Sequence, residues 1–67
     1  MIALTRLNGQ PVMLNCDLIE AVETNAREGE TIVGLTTGNV VVVREPMEEI
    51  ERRVVAFKRK VYSVRDE

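Results

Sequence analysis

The stretch Thr31 to Glu45, T-I-V-G-L-T-T-G-N-V-V-V-V-R-E, allows this chain few choices of local structure. Two runs rich in β-branched residues flank Thr37-Gly38-Asn39, which predicts an antiparallel hairpin with strands over 31–37 and 40–44. Gly38 can take the positive φ that a tight hairpin needs, and Asn39 tolerates it better than most residues. Val40 to Val43 shows no alternation, so this strand is expected to be covered on both faces. Pro46 ends it, because proline has no N–H to donate to a ladder.

The residues before this hairpin read as more of the same sheet. Met1 to Leu7 alternates loosely and predicts a strand, and Asn8-Gly9 is a type I′ hairpin signal. Pro11 to Leu14 is the return strand, its proline suited to an edge or first position. Asn15 is a good N-cap with Asp17 in the first turn, so one short helical turn is expected, with Leu18 and Ile19 aimed at the core. Ala21 to Thr24 resumes as a strand, and the polar segment 25–30 reads as a loop. Gly34 interrupts the next strand and marks a bulge or a close backbone approach. Asn8, Gly9 and Gly38 are therefore the structural turn residues.

From Pro46 to Tyr62 the pattern changes to a helix. Pro46 suits the first helical position. Glu48, Glu49 and Glu51 sit near the positive end of the dipole, and Lys58, Arg59 and Lys60 near the negative end. Glu48–Arg52 and Glu49–Arg53 are i,i+4 pairs in the favoured orientation. Met47, Ile50, Val54, Phe57, Val61 and Val64 recur at spacings of three and four, a heptad seam. In a parallel homodimer Arg53 would face Lys58 and Lys60 would face Arg65, so the seam is expected to cover a sheet instead. The predicted fold class is α+β: a small antiparallel β-sheet of about five strands built from hairpins, with one C-terminal α-helix. Residues 1–62 form a single domain, and 63–67 a frayed tail.

At 67 residues the core must be small, because a domain of this length buries only about 60% of its unfolded surface. Phe57 and Tyr62 are the only aromatics, and one Cys allows no internal disulfide. Both points favour burying more surface in a homo-oligomer, with the seam Met47, Ile50, Val54, Phe57 and Val61 as candidate interface. A lone Cys and no signal peptide fit a reducing cytosol. No apolar run approaches the roughly 18 residues of a membrane span.

The residues with reactive side chains form no catalytic pattern. Cys16 has no His to act as its base, since the chain contains none, and it reads as a small buried or half-buried residue. Asp17, Glu20 and Glu23 lack the ligand spacing of a calcium loop and read as a solvated acidic face. Thr37-Gly38-Asn39 leads into a strand and not a helix N-terminus, so it is no phosphate cradle. No enzyme, cofactor or metal is expected.

Charge layout is more informative. Six basic residues and no acid lie between Arg52 and Arg65, whereas 17–30 holds five acids and Arg27 alone. Arg52, Arg53, Lys58, Arg59 and Lys60 are therefore candidate docking residues for an acidic partner or an anionic lipid surface. The bland reading is a solvated helix face. Opposite-signed halves suit head-to-tail self-assembly, and intramolecular contact equally. The net charge of −2 argues against nucleic acid as the partner.

Four segments in order carry a family resemblance. M-I-x-L-T-R-L-N-G opens the chain, L-N-x-D-L-I-E spans Leu14 to Glu20, and L-T-T-G at Leu35 to Gly38 precedes V-V-V-R-E. Together they resemble the FlbD-type flagellar proteins, the swarming motility (SwrD) family, over about residues 1 to 60. The sequence departs from that pattern in a longer 25–30 loop, in Gly34, in Asn39-Val40 for a basic pair, and in Pro46 for a Ser or Thr N-cap. The resemblance implies a cytosolic, non-enzymatic motility factor that supports motor power through the stators, and the basic residues of the helix fit a position peripheral to the inner face of the membrane near the flagellar motors. It implies no catalytic or ligand-binding residues. Two other classes compete. An I-E-x-x-E strand, a Gly-turned hairpin and an acidic-start helix also resemble part of a LytTR-type DNA-binding domain, which would need basic loops. A structural homo-oligomeric ring protein is the third.

Overall fold

The computed structural model describes residues 1–27 and 29–62. Five strands, one 3₁₀ turn and one helix follow one another with short connections. They are β1 (Ile2–Thr5), β2 (Pro11–Leu14), the 3₁₀ turn (Cys16–Leu18), β3 (Ile19–Thr24), β4 (Thr31–Leu35), β5 (Val40–Val43) and α1 (Met47–Tyr62). The fold is α+β as expected, but the strands divide into two sheets. β1 pairs with β2, and β3, β4 and β5 form a three-stranded meander. Among the described residues a single isolated antiparallel bridge, Arg6 to Val43, joins them, with the Arg44 amide donating to the Thr5 carbonyl at 2.9 Å. The expected tail over 63–67, with Val64 and Arg65, lies outside the described residues.

Both tight turns are built alike. Around Gly38, the Gly38 amide donates to the Leu35 carbonyl and the Leu35 amide to the Asn39 carbonyl, each at 2.9 Å. Around Gly9, the Gly9 amide donates to the Arg6 carbonyl at 2.9 Å and the Arg6 amide to the Gln10 carbonyl at 2.8 Å. These are three-residue loops closed by a glycine in the left-handed region, φ 94° at Gly38 and 92° at Gly9. The type I′ turn expected at Asn8-Gly9 does not form. Such a turn needs positive φ at Asn8, and only glycines adopt positive φ among the described residues. Asn8 instead accepts a hydrogen bond from the Gln10 amide through Oδ1, at 3.0 Å. No atom crowds a Cβ built on Gly38, so its backbone angle alone resists substitution. Gly38→Val should cost about 1–3 kcal/mol, read as a lowered thermal midpoint, with Gly38→Ala less severe because alanine is not β-branched.

The valine run is covered on one face. Val41 and Val43 are buried, Val42 is half-buried, and Val40 is 60% exposed. The expectation of two covered faces fails because one helix and one short hairpin can cover only one side of the meander. On that side Val41 and Val43 lie opposite Val33 and Thr31, both buried. Ile2, Leu4, Leu14, Cys16 and Ile50 complete the core. The 3₁₀ turn forms where Asn15 caps it, Oδ1 accepting from the Asp17 amide at 3.0 Å. Its inward residue is Cys16, however, and Leu18 is exposed.

A bulge sets the phase of β3. Ile19 pairs with Leu35 and Ala21 with Gly34, which leaves Glu20 as the extra residue. Ile19 and Val22, three apart, therefore both pack against the core, where a regular strand would send them to opposite faces. Gly34 faces the bulge, and a Cβ there would only touch the Ala21 carbonyl at 3.8 Å. Its backbone makes no closer approach than any residue would.

Candidate docking surfaces

The helix is seated by a carboxylate between sheet and helix. Glu45 follows β5 and is 9% exposed. Its Oε1 accepts from the Thr5 amide at 2.8 Å, and its Oε2 lies 3.5 Å from Arg53 Nη1. Arg53 also donates to the Ala3 carbonyl and to Glu49 Oε2, both at 2.8 Å. Burial alone would raise the Glu45 pKa. The hydrogen bonds from Thr5 and the Arg53 charge outweigh it, so the carboxyl titrates below its ordinary range.

This network sorts the five candidate basic residues. Arg53 ties the helix to β1 and is committed inside the molecule. Lys58 reaches Asp17 Oδ1 at 3.4 Å, joining the basic helix to the acidic turn within one chain. Arg52 is exposed and pairs with Glu49, one turn back, rather than with Glu48 as the spacing predicts. Glu49 thus holds both arginines. Arg59 and Lys60 are exposed and make no ion pair among the described residues. Arg52 and Arg59, seven apart, share the solvent face of α1.

The apolar stripe is buried only near its start. Ile50 is 1% exposed, Val54 and Phe57 are half-buried against the core, and Met47 and Val61 are 38% and 47% exposed. Val61 has the same helical direction as Ile50 and Val54, yet the helix carries it past the packed core. Depressions lie between α1 and the strands on both of its sides. On the β3 side, Ile19, Val22, Met47, Ile50, Val54 and Val55 form an apolar groove of about 430 Å³, with Glu48 and Glu51 on its rim. On the β1 side, Met1, Ala3, Ala56 and Phe57 line a second, rimmed by Arg53 and Lys60. The first groove was not legible in sequence. Val55 lies outside the heptad seam, and the joint orientation of Ile19 and Val22 depends on the bulge.

Among the described residues no three His, Cys, Asp or Glu side chains converge as metal ligands. No helix there is long and apolar enough to cross a membrane. The fold and its exposed features define a small α+β domain whose distinguishing sites are charged and apolar surfaces along one helix. The family model FlbD, described as flagellar and swarming motility proteins, matches residues 1–62, and the chain belongs to that family. Comparison with curated proteins and with solved structures gave no match.

Proposed function

We propose that this protein is a cytoplasmic, non-catalytic accessory of the flagellar motor that supports swarming by docking an acidic protein surface among the motor or stator components. The family match over residues 1–62 carries the motility part of this reading. Support for docking comes from the solvent face of α1, where Arg52 and Arg59 stand in a row and Lys60 lies nearby. Exposed cations of this kind raise encounter rates with an acidic partner and set its orientation more than they add raw affinity.

The test is Arg52→Glu together with Arg59→Glu. Stability should change by less than about 0.5 kcal/mol, because both side chains are exposed and the Arg52–Glu49 pair is a surface ion pair. Swarming should fall while flagella still assemble. A folded double variant that swarms normally would remove the docking role of this face. Sedimentation of the wild type with anionic vesicles, lost in the variant, would point to the inner leaflet instead of a protein. Tight, steeply salt-dependent retention on duplex DNA would replace the reading with a DNA-binding one.

A further inference from the structure

We infer that the groove between α1 and β3 is the seat for a second copy of this chain, which enters with the overhanging end of its own helix. The groove has an apolar floor, Ile19, Val22 and Val54, and an acidic rim, Glu48 and Glu51. Neither rim carboxylate makes an ion pair among the described residues. The overhang has the complementary character. Val61 points in the core-facing direction of the helix but is 47% exposed, and the exposed Lys60 stands beside it without an ion pair among the described residues. An apolar knob next to a cation meets an apolar floor beneath two anions.

Groove and overhang occupy different parts of the same molecule. The contact is reciprocal where two copies exchange helix ends across a two-fold axis, and heterologous where each copy gives its helix end to one neighbour and its groove to another. The reciprocal form closes as a dimer, and the heterologous form closes into a ring or continues as a filament. Val61 and Met47, exposed in the single chain, would both lose water contact, in line with the small aromatic-poor core. This inference does not depend on the motility reading, since it is tested on purified protein.

The experiment is mass measurement in solution, by light scattering and sedimentation, over micromolar to hundreds-of-micromolar concentrations. The wild type should exceed monomer mass, increasingly so with concentration. Lys60→Glu alone, and Glu48→Lys with Glu51→Lys, should each weaken association by about tenfold or more, because like charges then face each other. The triple variant carrying all three changes should recover the wild-type mass, since the charges are exchanged and not lost. Circular dichroism establishes that each variant is folded. A wild type that stays monomeric throughout overturns the inference, as does a triple variant that fails to recover. If the groove variants leave the mass unchanged but abolish swarming, the groove faces a different protein and self-assembly is excluded there.

Discussion

Ile50→Ala is expected to remove about 3 kcal/mol of stability, within the usual range for truncating a buried isoleucine. A domain of this length has a total of roughly 3–10 kcal/mol. Each kcal/mol corresponds to about 4–8 °C in a domain this small, so the thermal midpoint should fall by roughly 12–24 °C. The reason lies in how the helix is held. Ile50 is 1% exposed, and it is the only fully buried side chain that α1 contributes among the described residues. It plugs the core formed by Ile2, Leu4, Val33 and Val43. Val54 and Phe57 are only partly covered and cannot compensate. Val61→Ala, measured at a concentration low enough to keep the chain monomeric, is the matched control: it removes atoms from the same stripe, but at a position where the side chain of the single chain meets water, so the shift should stay within about 0.5 kcal/mol. Melting curves of the two variants followed by circular dichroism give the comparison. Equal shifts would mean that the helix is not anchored through its first turns.

Glu45→Ala should be the second most damaging change, about 2–3 kcal/mol, because hydrogen bonds to charged groups contribute more than neutral ones and the Thr5 amide loses its acceptor. Glu45→Gln separates charge from shape. It can still accept from Thr5 but offers Arg53 no negative charge, and should cost less than the alanine variant. The pH dependence tests the same carboxylate. Its folded-state pKa is lowered from an ordinary value of 4.5. The folded state therefore binds that proton more weakly than the unfolded state. The contribution is present in full above pH 4.5 and is lost as the pH falls through the lower folded value. Stability of the wild type should drop along this acid limb, and the gap between wild type and Glu45→Gln should narrow with it. Melting midpoints of both proteins from neutral pH down to about pH 3 measure the difference. A gap that stays constant would show that the charge of Glu45 does not contribute.

Glu45 also illustrates where reading the chain stops being enough. In sequence it is one acid between a valine strand and a proline, with nothing to mark it as buried. It matters because Arg6 bridges to Val43 and brings the Thr5 amide opposite it. Arg53 changes role for the same reason. It stands among basic residues that read as a docking face, yet Ala3, Glu45 and Glu49 claim its guanidinium. The groove on the β3 side has a similar origin, since the Glu20 bulge turns Ile19 and Val22 to one side.

The features legible along the chain are local. The β-branched runs, the two glycine-closed turns, the Asn15-capped 3₁₀ turn and the helix from Met47 to Tyr62 all follow from backbone preferences acting over a few residues. The order of these elements restricted the fold to α+β, and four short segments carried the family likeness. Packing across the core set which face of Val40 to Val43 is covered, which residue of β3 is extra, which cations are already paired and how far the helix overhangs. Each of these depends on groups up to 50 residues apart in the chain, as Arg53 is from the Ala3 carbonyl. Burial and ion pairing are properties of what lies opposite, and no pattern within a strand or helix specifies its neighbour across the core.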